Sequence, residues 1–404
     1  MAKNELCLTI PSYFRCPISL EVMKSPVSLS TGVTYDRSSI QAWLDGGHTT
    51  CPATMQPLSS PSFVPNLTLH RLIHLWSLSH LPSSPSSPLP SLINQLKNTH
   101  DNDTLSIYLK SILDRMKNSA DNRRVLANSN DFLASILRLW SRFDSGSDKT
   151  ANLESVLLIL DLILSESDEI REKVHKLIFN GGSNCLKKFV CVLRNGSVES
   201  KAASARILER IAIDAETKRS MIETPGLLSE LYNLITSRSS SSIEAGLSAI
   251  IAIARSRSVK SELVKKGVVK TVTEILCNKA TPNPVIQRSM EMLEALSTVA
   301  EGRSAICEEE RCVAEIVRRL MKVSDKATEH GVTVVWSVCY LFPDAKAKEA
   351  VARSNGVSKC LLLLQSNCSP IVKQMCADLV KVLRAHSKES LSRYDTKTIH
   401  IMPY

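Results

Sequence analysis

The chain has 404 residues, 43% of them hydrophobic and 22% charged, with a formal charge of +10; at roughly 100–200 residues per domain these globular values allow two to four domains or one repeat array. Glycine (13) and aromatic residues (Phe 7, Tyr 7, Trp 4) are scarce, which disfavours an all-β sandwich and favours helices. No G-x-x-x-x-G-K or G-x-G-x-x-G loop is present, so a large nucleotide-binding α/β enzyme is disfavoured.

Twelve cysteines occur and no two form a C-x-x-C, a pattern expected in a reducing compartment. Met1-Ala-Lys-Asn-Glu-Leu has no apolar signal-peptide core, and no apolar run approaches ~20 residues. The expectation is a soluble intracellular protein without a membrane span. Charge is uneven: residues 1–80 carry +1 and the remainder +9. The basic residues are scattered rather than blocked, which reads as solvated helix faces rather than a nucleic-acid surface.

In chain order, the first motif is Cys16-Pro-Ile-Ser-Leu-Glu21-x-Met23. Val27–Leu29 and Val33–Tyr35 flank Ser30-Thr31-Gly32, a strand–turn–strand signal. Asp36 is placed to cap a short helix with Ile40, Trp43 and Leu44 on its inner face, ending at Gly46-Gly47. Cys51-Pro52-x-Thr54 follows. Beyond Pro65-Asn66 a second helix carries Leu69, Leu72, Ile73 and Trp76 on one stripe. The expected unit is ββα plus a C-terminal helix, with apolar loops around Ile18 and Pro52 bordering the first helix.

An eight-ligand cross-braced zinc site needs C-x-x-C pairs. Here Cys16, Cys51 and His48 offer three ligands that never pair in sequence. We expect no metal and no cofactor, with Cys16 and Cys51 as small buried residues or members of a hydrogen-bond network. A catalytic role for Cys51 lacks a base beyond the neighbouring His48.

Leu81-Pro-Ser-Ser-Pro-Ser-Ser-Pro-Leu-Pro90 has four prolines and four serines and reads as an exposed linker. After it the text repeats. Gly226-Leu-Leu-x-x-Leu, Gly267-Val-Val-x-x-Val and Gly356-Val-x-x-x-Leu share one pattern. Leu186, Leu228, Val269 and Val313 are 42, 41 and 44 residues apart. A second register, Ile211, Ile253, Leu296, Val338 and Leu383, steps by 42, 43, 42 and 45. Periods of about 40–47 residues mark stacked two- or three-helix repeats. Residues 101–143 read as a degenerate first repeat.

The repeats resemble an armadillo array, a glycine opening a long final helix favouring it over HEAT repeats. Residues 8–77 are similar to the U-box of plant ubiquitin ligases. The two together resemble the plant U-box–armadillo class. The implied fold is mainly α, a small metal-free RING-like ββα U-box followed by an α-α superhelical armadillo solenoid. Its expected divisions are a U-box at 8–80, a linker at 81–91, five to six repeats at 92–390 and a tail at 391–404.

The resemblance implies docking of a ubiquitin-loaded conjugating enzyme through Ile18, Trp43 and Pro52. Cys16, Glu21, Cys51 and Asn66 would form the structural network, and a protein target would sit on the repeats. It also implies catalysis without a covalent intermediate on this chain, frequent dimerisation through the U-box, and a cytoplasmic or nuclear setting, often in stress or immune signalling. Two departures stand out. Ser25 replaces a common Asp before Pro26, and Met55 stands where some U-boxes have an Arg bonding both conjugating enzyme and ubiquitin. Methionine has no donor for that. Three rival readings are weighed. They are a non-catalytic armadillo adaptor, an importin-like receptor (for which Trp140 and Trp336 fail to recur at the repeat period) and a nucleic-acid binder.

Overall fold

The computed structural model describes residues 11–60, 62–80, 96, 101–143, 150–166, 168–180 and 184–392. The segment expected as a linker and residues 393–404 of the expected tail lie outside them. The chain divides into two compact units, 1–88 and 89–404.

The first unit opens with a 3-10 turn, Ser12–Phe14, followed by β1 (Pro26–Ser28), β2 (Thr34–Asp36), α1 (Arg37–Asp45), β3 (Val64–Pro65) and α2 (Leu67–His80). The sheet order is β2-β1-β3 and both pairings are antiparallel, with Val27 opposite Tyr35 and also opposite Pro65. Gly32 supplies the positive φ of the β1–β2 turn at +78°, and Gly47 (φ +82°) follows the end of α1. The third strand, only two residues long and containing a proline, has no alternating pattern to reveal it. The core is Phe14, Cys16, Met23, Val27, Leu29, Tyr35, Ile40, Cys51 and Ile73, with Trp43, Leu44 and Leu69 packed against it. The expected stripe on α2 is narrower in the structure, because Leu72 is exposed.

Asp36 occupies the N-cap position of α1 but its side chain makes no cap bond. Its carboxylate accepts instead from the amides of Lys24 (2.7 Å) and Ser25 (2.8 Å) and from the Ser38 hydroxyl (2.6 Å). The expected cap is thus replaced by a tie to the segment leading into β1.

The second unit is built from helix triplets. The first is α3 (Asn102–Asn118), α4 (Ala120–Ala127) and α5 (Asn130–Arg142); the second is α6 (Thr150–Leu164), α7 (Asp168–Asn180) and α8 (Asn184–Asn195). Then come α9 (Val198–Ile211), α10 (Ala215–Glu223), α11 (Leu227–Ile235); α12 (Ser240–Ile253), α13 (Arg257–Lys265), α14 (Val268–Cys277); and α15 (Asn283–Ser297), α16 (Ala300–Glu308), α17 (Cys312–Arg319). The last triplet is α18 (Asp325–Trp336, continued by a π turn at Ser337–Leu341), α19 (Ala345–Arg353) and α20 (Gly356–Gln365), and α21 (Pro370–Ser392) closes the array. The stretch expected to be a degenerate repeat is a complete triplet.

Serine caps start the long helices α9, α12 and α18: Ser197, Ser239 and Ser324 each accept from the backbone N–H three residues on. Gly226 and Gly267 sit at φ +85° and +86°, but they open the 9- and 10-residue helices α11 and α14. The long helices follow those, which corrects the expected glycine at a long final helix. Asn355 (φ 59°), not Gly356, takes the equivalent left-handed position before α20.

Each long helix packs on the next along α3, α6, α9, α12, α15, α18 and α21, so one continuous core runs through the repeats. Cations from one repeat also close the preceding one. Lys188 donates to the Trp140 (2.6 Å) and Ser141 (3.1 Å) carbonyls at the end of α5, and Arg319 to Leu276 (2.9 Å) in the last turn of α14 and to its C-cap Asn278 (3.0 Å). Lys359 likewise donates to Val317 and Arg318 in α17. These carbonyls belong to the last turn or the C-cap of their helices, where intrahelical donors run out, and the ammonium and guanidinium groups add hydrogen bonds there. Asp161 of α6, nearly buried, is bracketed by Arg206 (2.6 Å) and Arg210 (2.7 Å) of α9. Among the array cysteines, burial pushes the thiols of Cys312 and Cys339 up to about 12, as suits inert core residues. Among the described residues no helix is long and apolar enough to cross a membrane.

Candidate functional site

The first unit contains the same loop twice. In the first, Cys16 N–H donates to the Glu21 carbonyl and Leu20 N–H to the Cys16 carbonyl, both at 2.8 Å. In the second, Cys51 N–H donates to the Gln56 carbonyl and Met55 N–H to the Cys51 carbonyl, again at 2.8 Å. Antiparallel bridges close both, Arg15 with Val22 and Thr50 with Pro57. The fifth residue of each loop is left-handed, Leu20 at φ 59° and Met55 at φ 58°, an unfavourable state for a side chain that persists because the flanking bonds over-determine it. Those two side chains are 67% and 70% exposed. The repeated text is visible in retrospect as Cys-Pro-Ile-Ser-Leu at 16–20 and Cys-Pro-Ala-Thr-Met at 51–55.

β2 holds the two loops together through consecutive residues. Asp36 N–H donates to Cys16 Sγ at 3.3 Å. The Tyr35 hydroxyl lies 3.0 Å from Cys51 Sγ and accepts from Ala53 N–H at 3.0 Å. The phenol oxygen can accept more than one bond, so with a neutral thiol either group can donate; toward the thiolate the phenol is the donor. The Thr31 hydroxyl donates to the same sulfur at 3.3 Å. Burial opposes ionisation of Cys51, but the bonds from Thr31, Thr54 and Tyr35 outweigh it and lower the thiol to about 6. Burial and the bond to Cys51 raise Tyr35 above the ordinary phenol range. Cys16 is held below the usual thiol range, against its burial, by the Asp36, Ser19 and Ile18 amides and the Ser19 side chain.

Both sulfurs therefore take hydrogen-bond donors. Among the described residues no group of three His, Cys, Asp or Glu is placed to hold a metal ion.

Of the expected docking residues, Ile18 is 37% exposed on the first loop. Pro52 is half-buried directly after Cys51. Trp43 is half-buried on α1; its Nε1–H donates to the Thr50 carbonyl at 2.9 Å and its ring stacks on His48 at 4.0 Å. It thus ties α1 to the second loop as well as offering ring surface. Asn66 lies between α2 and the β1–β2 pair. Its Oδ1 accepts from Leu69 N–H to cap α2, and its Nδ2 reaches Ser28 Oγ (3.3 Å) and Thr34 Oγ1 (3.4 Å) across the β1–β2 pair. Glu21 contributes only its backbone carbonyl: its side chain is exposed and makes no hydrogen bond or ion pair among the described residues. The expected set lacks Tyr35, because a buried tyrosine within a strand looks like plain core until its hydroxyl partner is known. At Ser25 the backbone does the work, its N–H donating to Asp36 and its carbonyl accepting from Arg37.

Comparison with known proteins places both units. Residues 10–82 match the family model described as U-box domain, and residues 89–401 match the plant U-box protein ARM repeat region. U-box domain-containing protein 28 of Arabidopsis thaliana is 47% identical, covering 100% of both chains. U-box domain-containing protein 29 of the same plant is 41% identical over 100% of this chain and 99% of its own. The Arabidopsis protein named E3 ubiquitin-protein ligase PUB23 is 28% identical, over 93% of each. Among solved structures, a designed armadillo repeat protein aligns with a TM-score of 0.50 at 18% identity, over 62% of this chain and 99% of that one. That likeness bears on the fold of the repeats.

Proposed function

Since the chain belongs to the plant U-box proteins with an armadillo-repeat region, we propose that it is a ubiquitin-protein ligase. The reading rests on one observation above all, the pair of Cys-Pro loops with matching backbone bonds held by consecutive residues of β2. They present Ile18 and Pro52, with Trp43 on α1, as a small apolar surface of the size that suits a transient partner. That partner is a ubiquitin-conjugating enzyme carrying ubiquitin as a thioester. A target lysine held by the repeats attacks the thioester carbonyl, forming the amide and releasing the enzyme's thiolate. This chain contributes proximity and orientation, not a nucleophile. A U-box dimer and a cytoplasmic or nuclear setting belong to the same reading, as do stress and immune signalling, which rest on the family resemblance alone.

Self-ubiquitination with a panel of conjugating enzymes tests it. Ile18→Ala and Trp43→Ala are expected to lose most of the activity. Ile18 is the cleaner arm, because Trp43 also holds Thr50. Full activity in both variants would sink the reading. The non-catalytic adaptor remains a second reading for one reason: the exposed tip of the second loop is Met55, which has no hydrogen-bond donor. Absence of activity with every conjugating enzyme, in a folded protein, would favour it.

A further inference from the structure

A cavity of about 520 Å³ opens between α10 and α13, in the size range of small-ligand sites. Its apolar wall includes Ile213, Ile222 and Ile253. Its polar lining is Lys218, Arg219, Arg255, Ser256, Ser258 and a single carboxylate, Glu223.

The charges there are unbalanced. The exposed side chains of Arg219 and Arg255 make no hydrogen bond or ion pair among the described residues. Lys218 spends one proton on the Ile213 carbonyl at 3.3 Å. Lys218 and Arg255 line the same space; burial first, and then the like charge of Arg255, lower the Lys218 pKa, and Asp214 offsets them only in part. The nearby Asp214 is already committed to Thr217 N–H (2.7 Å) and to His175 (3.3 Å).

The next repeats act as internal controls. Lys260 and Arg303 occupy the same place in α13 and α16 as Lys218 does in α10, the fourth residue of the helix. Lys260 donates to the Thr298 hydroxyl at 2.9 Å, and Arg303 to the Ser297 carbonyl at 2.9 Å beneath the Phe342 ring. The helix starts beside them carry Glu301 and Asp344. The start of α13, beside Lys218, has Ser256 as its cap and no acidic residue in its first turn.

We propose that this cavity binds a phosphate monoester carried on an apolar group, with Lys218 and Arg255 holding the phosphate and the isoleucine wall its carrier. A dianion satisfies both cations at once and adds the favourable field of the α13 N-terminus. The apolar wall selects an ester over free phosphate. Within the ligase reading, the natural source is a phosphorylated serine or threonine flanked by apolar residues in a target. The site itself does not depend on that reading.

Calorimetry on the full chain with phenyl phosphate, inorganic phosphate and a leucine-flanked phosphoserine peptide tests it without any ubiquitin component. Its failure would therefore leave the ligase reading intact, and the converse also holds. Saturable binding of phenyl phosphate, tighter than of inorganic phosphate, is expected. Lys218→Gln and Arg255→Gln should each weaken it by about tenfold, the scale of one lost charge-assisted bond, while Lys260→Gln leaves it unchanged. Both variants lie outside the core, and circular dichroism checks their fold. The peptide arm distinguishes a target phosphosite, if its binding requires the phosphate, from a small phosphate ester, if phenyl phosphate alone binds. No saturable binding of phenyl phosphate, or binding untouched by both cavity variants, would overturn the proposal.

Discussion

The second loop is organised around a sulfur hydrogen-bonded to the Tyr35 and Thr31 hydroxyls, which favour its thiolate and make its stability pH-dependent. The thiol moves from an ordinary 9.0 to about 6 in the folded chain. A depressed folded value gives stabilisation that is complete above the unfolded value and disappears as pH falls through about 6. At ~1.4 kcal/mol per unit, the thiolate contributes about 1.4 kcal/mol at pH 7 and about 0.1 kcal/mol at pH 5. Cys51→Ser keeps a small acceptor but removes this titration. The assay is hydrogen exchange of the β1 and β2 amides in the full chain, corrected for intrinsic rates, for both proteins at the two pH values. The gap between wild type and Cys51→Ser should shrink by about 1.4 kcal/mol from pH 7 to pH 5. Tyr35→Phe, which removes one donor, should move the midpoint upward. A gap that does not change with pH would refute the thiolate argument.

Three further outcomes are expected. Lys188→Met strands the Trp140 and Ser141 carbonyls that the ammonium satisfies. It should lower array stability by about 1–3 kcal/mol, read as a lower urea midpoint. In Gly302→Ala the new Cβ would come within 2.7 Å of the Leu296 carbonyl carbon. Because backbone cannot yield as a side chain does, a loss of about 1–3 kcal/mol or more should appear in the same measurement. Met55→Arg adds a guanidinium at an exposed, already left-handed position; ubiquitin discharge from a loaded conjugating enzyme should quicken, with folding unchanged.

Much of the fold was legible because periodicity is a local property. The steps between Ile211, Ile253, Leu296, Val338 and Leu383 tracked successive long helices, the first three at or near helix ends, Val338 in the π turn that continues α18 and Leu383 within α21. The glycine pattern pointed to repeat boundaries but not to the right helix, since Gly226 and Gly267 serve the short helices. A left-handed residue marks a turn and does not say how long the next helix runs. In the first unit, β1, β2 and α1 followed from alternation and turn residues, while β3 carried no such signal.

Side-chain roles were less legible, because they depend on partners distant in sequence. Asp36 looked like a helix cap from its position alone, yet Lys24 and Ser25, 12 and 11 residues back, claim its carboxylate. Glu21 enters only through its carbonyl. The importance of Tyr35 and the ionisation of Cys51 required knowing that β2 and a loop 16 residues later converge on one sulfur. The balance of cations in the α10–α13 cavity likewise required knowing which neighbours are already spent.

The sequence by itself determined the two-part organisation, the helical repeat and the Cys-Pro loops, because spacing and residue type act within a few turns of chain. Only the tertiary structure decided which donors each sulfur meets, which carbonyls Lys188 and Lys359 close and where charge is left unpaired. The reason is that hydrogen bonding and desolvation depend on distance in space, which folding sets and sequence separation does not.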